Sequence, residues 1–120
     1  PTRRSSDLIC ANRIEVGSGT TVSSFVFITD LDHDFNDISK PVMQQALLVR
    51  ETSIGKNCFI GTGAKIMAGV HIGEHSVIGA NAVVACDIPP FCVAVGIPAR
   101  VIKRFNFGTN TWEKWKETGV

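Results

Sequence analysis

The sequence contains no tyrosine, and its two tryptophans both lie within the last nine residues. No apolar run approaches the ~18 residues that a membrane-spanning helix needs, and no signal peptide is evident. The 12 Lys and Arg nearly balance the 11 Asp and Glu, so charge gives no reason to expect nucleic-acid binding. What remains is one domain of 120 residues that is 44% hydrophobic, which is enough for a packed interior.

Cysteine spacing excludes two common kinds of site. Cys10, Cys58, Cys86 and Cys92 include no CxxC pair, so neither a zinc knuckle nor a thioredoxin-like site is supported. We interpret them as small core or turn residues of a protein in a reducing compartment, the cytoplasm. One reactive thiol is the alternative.

The first eight residues, PTRRSSDL, differ from everything that follows. One choice of codons back-translates them into the end of a common sequencing adapter, so we interpret residues 1–8 as a non-native leader. A natural basic N-terminus is the alternative. The adapter interpretation predicts that sequence upstream of residue 9 is missing, and residues 1–8 are left out of the fold prediction.

Aliphatic residues recur every six positions, and a small or β-branched residue follows each after four more. The first series is Leu48, Ile54, Ile60, Ile66, Ile72, Ile78 and Val84, and Cys10, Val16, Val22 and Ile28 keep the same period upstream. A helix of period 3.6 would spread this repeat around its surface, and a plain strand does not require it. A coiled solenoid of short strands and tight turns does, with aliphatic side chains inside a narrow prism and glycine accepting turn angles of positive φ. Three hexapeptides then form one coil of about 18 residues.

The segment from SIGKNCFIG to GIPARVIKR resembles the hexapeptide-repeat acyltransferases, and the run DIPPFCVAVGIPARVIK is its most specific part. The most similar subgroup is the O-acetyltransferases that act on sugars or on surface polysaccharides. The resemblance covers roughly residues 9–104. It implies an all-β fold, a left-handed parallel β-helix that assembles as a homotrimer.

The repeat breaks between Ile28 and Leu48, because their separation is not a multiple of six. We therefore predict that the chain leaves the prism in a loop, residues 29–47, which begins within the acidic stretch FITDLDHDFND. Asp30, Asp32 and Asp34 match positions 1, 3 and 5 of a calcium-binding EF-hand loop, but Phe35 and Pro41 stand where glycine and glutamate are required. Calcium is therefore not expected, nor is another metal.

His33 is the histidine of this loop, and we predict that it is the general base. A histidine is substantially deprotonated at neutral pH, so it could take a proton from an acceptor hydroxyl that attacks a thioester. Asp30, Asp32 or a backbone carbonyl could hold the other ring nitrogen. Related acetyltransferases often read T-D-H-x-H here, and Leu31 stands at the first of those two histidines. A solvated turn residue is the alternative for His33.

The other two histidines, His71 and His75, have H-x3-H spacing. We interpret both as exposed turn residues of the repeat, with a role at a subunit interface as the alternative. The H-x4-H spacing of zinc ligands in related β-helix carbonic anhydrases is absent.

The resemblance further implies that acetyl-CoA is the donor and lies between adjacent subunits. The positions that match the family's coenzyme contacts are Thr62, Ala80, Ala85, Cys86, Arg100 and Lys103. Arg100 and Lys103 would pair with coenzyme phosphates, and an ordinary basic turn is their alternative. This chain has Phe59 where the family often has tryptophan, and Ala85-Cys86 where it often has Thr-Lys.

The C-terminal segment, residues 105–120, is expected to cap the open end of the β-helix with a short helix. Asn110 would be its N-cap with Glu113 in the first turn, and Trp112 and Trp115 would share one face.

Three functions are weighed from these features. The favoured one is direct acetyl transfer from acetyl-CoA to a hydroxyl of a sugar or saccharide. The alternatives are a β-helix scaffold without catalysis, which Leu31 and Ala85-Cys86 favour, and a metalloenzyme of the carbonic anhydrase kind.

Overall fold

A computed structural model describes residues 8–9 and 13–115, the first two of these by their backbone. The described residues form short strands and one 3₁₀ turn, Val42–Gln44. The strands are β1 Leu8–Ile9, β2 Ile14–Val16, β3 Thr21–Val22, β4 Phe27–Thr29, β5 Leu31–His33, β6 Leu47–Val49, β7 Thr52–Ile54, β8 Phe59–Ile60, β9 Lys65–Ile66, β10 His71–Ile72, β11 Val77–Ile78, β12 Val83–Val84, β13 Cys92–Val95, β14 Arg100–Asn106 and β15 Thr111–Lys114.

Three of the sheets are the faces of a triangular prism. Face A has the strand order β1-β4-β9-β12, face B has β2-β7-β10, and face C has β3-β8-β11-β13-β14-β15. Pairing is parallel within faces A and B and from β3 to β13. This is the predicted left-handed parallel β-helix, with each coil visiting the three faces in turn.

The register between coils confirms the repeat. Ile78 lies beside Ile60, and Ile72 beside Ile54, so each partner stands three hexapeptides earlier in the chain. Ile66 lies beside Ile28 on face A, with the whole excursion between them in sequence. The excursion therefore lengthens one coil without disturbing the ladders on either side of it.

The interior is filled by the two residues of each hexapeptide that the period identifies. The aliphatic members from Ile54 to Val84 are at most 2% exposed, and the residues four positions later are buried as well: Cys58, Ala64, Val70, Ser76, Ala82 and Ile88. Leu48 is an exception, because it lies on β6 outside the prism. Its assignment to the repeat is therefore wrong, and the prism resumes at the buried Thr52.

The repeated glycines have a different cause from the expected one. Gly55, Gly61 and Gly73 lack positive φ, and a Cβ at any of them would approach backbone atoms of the next coil to under 3.0 Å. Left-handed φ angles occur instead at other corner residues, among them Gly63, Asn57 and Asn81. Glycine is required after the aliphatic residue because the coils come so close there.

The predicted C-terminal helix is wrong over the described residues 105–115, and residues 116–120 lie outside the described part of the chain. β14 and β15 form an antiparallel hairpin that extends face C, with Phe105 opposite Trp112. Asn110 lies at the turn with φ of 61°, a left-handed angle that suits asparagine and does not suit an N-cap. The aromatic rings of Phe105 and Trp112 meet edge to face at 5.3 Å, a contact that strand pairing allows.

No helix in the described part of the chain is long and apolar enough to cross a membrane. Leu8 pairs beside Ile28 in face A, whereas the rest of the leader, residues 1–7, lies outside the described residues. The leader interpretation stays a prediction.

Candidate active site

The excursion is a two-stranded hairpin at the corner between faces A and B. It follows β4 directly, and β5 pairs with β6 in antiparallel fashion, with Leu31 opposite Val49 and His33 opposite Leu47. The backbone N–H of Asp34 continues this ladder by donating to the carbonyl of Ala46 at 2.9 Å. The predicted loop thus begins with ordered strand pairing, which holds His33 on a fixed element.

Buried hydrogen bonds close the neck of the excursion. Asp30 is 0% exposed, and its Oδ2 accepts a 2.7 Å bond from the backbone N–H of Arg13. The hydroxyl of Thr52, also buried, donates to the carbonyl of Thr29 at 3.0 Å and accepts from the N–H of Gly69 at 2.9 Å. Such satisfied buried groups fix the two ends of the insertion against neighbouring coils.

Strand alternation divides the hairpin side chains between two faces. Leu31 and His33 lie on one face with their partners Val49 and Leu47, while Asp32 lies on the other. Leu47 and Val49 are 51% and 46% exposed, so the face that carries His33 is apolar and open. Positions 31 and 33, the two histidines of the related motif, therefore share a face.

His33 is half-buried, and its ring is the unusual polar group of the site. Among the described residues, its Nδ1 is the one buried side-chain nitrogen or oxygen without a hydrogen-bond partner. Neither Asp30 nor Asp32 therefore bonds Nδ1 within one chain. Because buried polar atoms are normally paired, this nitrogen is exceptional among the described polar groups.

Asp32 has other contacts. Its Oδ1 accepts a 3.0 Å bond from the backbone N–H of His33, and its Oδ2 lies 3.4 Å from Nε of Arg50. Arg50 was missed by the sequence analysis, although its place two residues after the partner of Asp32 puts both on one hairpin face. The role of Asp30 or Asp32 in orienting the ring stays a prediction.

The remaining acidic residues of the loop are used in local turns. Asp34 Oδ1 accepts the N–H of Asn36, and Asp37 Oδ1 accepts the N–H and hydroxyl of Ser39. The hydroxyl bond, with the N–H bond, holds the pKa of Asp37 below its ordinary value. The described residues contain no group of three or more His, Cys, Asp or Glu side chains that could hold a metal ion.

The positions predicted to contact the donor lie along the edges of face A. Thr62 and Ala80 occupy one corner in successive coils, where the N–H of Asn81 donates to the carbonyl of Thr62. Ala85 and Cys86 follow β12 at the opposite corner, the one from which the excursion leaves. The structure thus brings these four exposed residues to the same face as the neck of the excursion.

Arg100 and Lys103 are exposed on β14, above the last coil. The N–H of Ala99 donates to the carbonyl of Val83 at 2.8 Å, which joins the start of β14 to face A. On face A itself, Phe25, Phe27, Lys65 and Met67 line a shallow groove of about 520 Å³. Face A therefore presents an apolar strip, and Arg100 and Lys103 lie beyond the last coil on a strand of face C.

The other two histidines lie elsewhere and are exposed, as predicted, but the prediction of a turn position is wrong for His71, which is in strand β10. His71 is on face B, where its Nδ1 lies 2.7 Å from Oγ of Ser53. His75 is at a corner with φ of 56°, and its ring stacks on Phe91 at 5.6 Å. Neither is on the excursion hairpin.

Three of the four cysteines are described, and they agree with the prediction of core or turn residues, whereas Cys10 lies outside the described residues. Cys58 and Cys92 are buried, and burial raises the pKa of each thiol. Cys86 is an exposed residue of the A/B corner. All three are free thiols.

Comparison with known proteins matches the described coils to a repeat family. The sequence profile of the bacterial transferase hexapeptide (six repeats) matches residues 51–86. A protein of Escherichia coli K12 named as a lipopolysaccharide biosynthesis O-acetyl transferase is 35% identical over 108 residues, covering 84% of this chain and 55% of its own length. The galactoside O-acetyltransferase of the same organism is 52% identical over 54 residues, covering 45% of this chain and 27% of its own length.

Among solved structures, a galactoside acetyltransferase in complex with coenzyme A superimposes with a TM-score of 0.73. It is 31% identical, and the match covers 82% of this chain and 50% of that one. The chain thus spans about half the length, or less, of the two E. coli relatives and half of this solved chain.

Proposed function

Because the chain belongs to the hexapeptide-repeat acyltransferases, we propose that it transfers an acetyl group from acetyl-CoA to a hydroxyl of a sugar or saccharide unit. The observation that carries the proposal is that two of the positions matched to coenzyme contacts, Ala85 and Cys86, lie at the corner from which the excursion leaves. The hairpin of that excursion bears His33 with an unpaired Nδ1. The similarity to a galactoside O-acetyltransferase supports a sugar acceptor, and the similarity to the E. coli protein named for lipopolysaccharide biosynthesis supports a place in polysaccharide biosynthesis.

In this mechanism His33 is the general base. One ring nitrogen takes the proton of the acceptor hydroxyl as the oxygen attacks the thioester carbonyl. The new C–O bond forms, the C–S bond breaks, and the proton passes to the leaving thiolate of the coenzyme. General-base assistance of this kind is typically worth ~10²–10⁴-fold in rate.

Transfer is direct, without an acylated cysteine. Cys58 and Cys92 are buried, and their raised pKa keeps both thiols protonated and poorly nucleophilic. Cys86 is exposed, but it lies at a corner matched to coenzyme contact and has no histidine partner among its described hydrogen bonds. The acceptor oxygen is then the nucleophile.

The donor would lie along face A, with its phosphates toward Arg100 and Lys103. Cationic side chains at exposed positions suit this role because they pair with phosphate oxygens at little desolvation cost. Thr62, Ala80 and Ala85 are small enough to let an extended pantetheine arm approach the turn backbone.

A homotrimer would complete the site. Phe25 is 76% exposed at a left-handed corner, and Phe27 and Met67 continue its apolar strip. A second subunit that covers this strip would bury it and would turn the shallow groove into a cleft. The same neighbour could provide the missing partner for Nδ1 of His33.

The test is thiol release from acetyl-CoA in the presence of a panel of mono- and oligosaccharides, with the products identified by mass. We expect release that depends on the acceptor, with one acetyl group added to a hydroxyl, and that survives treatment with a chelator. Activity that disappears with the chelator would instead favour the metalloenzyme. Coenzyme binding without transfer to any hydroxyl would favour the scaffold.

A further inference from the structure

The hairpin face opposite His33 carries a connected set of contacts. Arg50 Nε lies 3.4 Å from Oδ2 of Asp32, and Oδ1 of the same carboxylate accepts the backbone N–H of His33 at 3.0 Å. The carboxylate of Asp32 thus contacts both the guanidinium of Arg50 and the backbone N–H of His33, the proposed base. A displacement of Arg50 would remove a contact from the carboxylate that accepts the backbone N–H of His33.

Arg50 is itself fixed on the prism at two points. Its backbone N–H donates to the carbonyl of Asp30 at 2.7 Å. Its stem lies over Gly69, where an added Cβ would come 3.4 Å from both Cβ and Cδ of Arg50. Gly69 has φ of +84° and belongs to the next coil at the same corner. Because Gly69 has no side chain, the aliphatic part of the Arg50 side chain can pack against its backbone.

We infer that Arg50 is a positioning residue, which holds the excursion hairpin against the prism through Asp32 and thereby sets the location of His33. The inference rests on the proposed role of His33. Ion pairs between side chains that are 53% and 49% exposed are weak, so the effect expected is moderate. Loss of the guanidinium should reduce kcat about two- to five-fold and leave both KM values unchanged.

A matched control exists in the adjacent residue. Glu51 pairs with Arg13 at 2.8 Å, with side chains 51% and 56% exposed. The described contact from this pair toward the excursion is the backbone N–H of Arg13 to Oδ2 of Asp30, which Glu51→Gln leaves in place. Arg50→Gln and Glu51→Gln therefore each remove one exposed ion pair at the same corner. We expect the kcat loss in Arg50→Gln only, with partial recovery in Arg50→Lys.

The dependence of kcat on salt concentration is a second measurement, and a residue with a purely structural role would not change it. Because exposed ion pairs are screened, kcat of the wild type should fall with added NaCl toward that of Arg50→Gln, whereas the variant should be less sensitive. Equal losses in Arg50→Gln and Glu51→Gln, or equal salt responses in wild type and Arg50→Gln, would overturn the inference.

Hydrogen exchange separates this inference from the proposed function. The amide of Asp34, which is bonded to Ala46 across the hairpin, should exchange several-fold faster in Arg50→Gln than in Glu51→Gln. Faster exchange together with full activity in His33→Ala would contradict the role of His33 and keep the anchoring role of Arg50. Unchanged exchange would contradict the anchoring role.

Discussion

The backbone N–H of Arg50 donates a 2.7 Å hydrogen bond to the carbonyl oxygen of Asp30, so the two ends of the excursion lie side by side at one corner of the prism. This bond closes the excursion where it begins. Neighbouring coils keep their register on both sides, because the insertion starts and ends at the same place. The rigid scaffold therefore carries a long excursion at its corner.

The neck of the excursion should depend on the hydroxyl of Thr52. In Thr52→Val the shape is kept, but the carbonyl of Thr29 and the N–H of Gly69 lose a buried partner. We expect a loss of about 1–3 kcal/mol in the free energy of unfolding, measured by urea denaturation. The exposed Thr21→Val is the control. A change below about 0.5 kcal/mol in Thr52→Val, the level of ordinary surface substitutions, would contradict this explanation of the neck.

The close approach of successive coils should make Gly61 intolerant of a side chain. A Cβ there would lie 2.7 Å from the nitrogen of Ala80 and 2.8 Å from the oxygen of Ile78, and this oxygen accepts the bond from the N–H of Gly61 that joins the two coils. Gly61→Ala should cost about 1–3 kcal/mol, the range of overpacked cores. Gly108→Ala is the control, since its added Cβ would first meet the flexible side-chain oxygen of Asn106 at 3.2 Å. Equal unfolding midpoints for the two variants would refute the steric explanation.

The repeat could be predicted because each hexapeptide has an aliphatic residue at the same position. The equally spaced aliphatic residues from Ile54 to Val84 leave few alternatives to a coil of three hexapeptides, and the structure confirms it. Leu48 was assigned wrongly because it keeps both the spacing and the residue type, although its strand pairs with β5 instead of a coil. A six-residue spacing therefore indicates a position in the β-helix only where the residue also pairs with a neighbouring coil.

The C-terminal segment shows the opposite limit. The local pattern of Asn110, Glu113 and the two tryptophans favours a short helix. In the fold, β14 instead pairs with the edge of β13, and β15 pairs with β14, which gives this segment a longer set of backbone hydrogen bonds. Tertiary pairing overrides local propensity here.

The candidate site could be predicted only in part. The sequence identifies His33, but the link from Arg50 through Asp32 depends on hairpin register, which only the folded chain defines.

The buried thiols should make stability fall at alkaline pH. Burial raises the pKa of Cys58 and Cys92 above the ordinary value of 9.0. The folded state therefore keeps its thiol protons to higher pH than the unfolded chain, so their contribution is complete below about pH 9 and is lost as the pH rises toward the folded pKa. Urea midpoints should decrease between pH 8 and pH 10, with a shallower decrease in Cys58→Ala. Cys86→Ala, at an exposed position, should keep the wild-type slope, and an equal slope in all three proteins would contradict the prediction.

A histidine at position 31 should be able to replace the one at position 33. Both side chains lie on the same face of the hairpin, and the related motif carries histidine at each. We expect kcat of the double variant Leu31→His/His33→Ala to be at least ten-fold higher than kcat of His33→Ala. The control is Asp32→His in the same background, which places imidazole on the opposite face. Recovery by the position 32 variant, or by neither, would show that the shared face does not decide the function.

The role of His33 as general base is tested most directly by kcat for acetyl transfer in His33→Ala. General-base catalysis by this residue predicts a loss of ~10²–10⁴-fold with unchanged unfolding midpoint. His71→Ala, which alters an exposed histidine on face B, should stay within about two-fold of wild type. A His33→Ala enzyme that retains kcat within about five-fold of wild type would contradict this role.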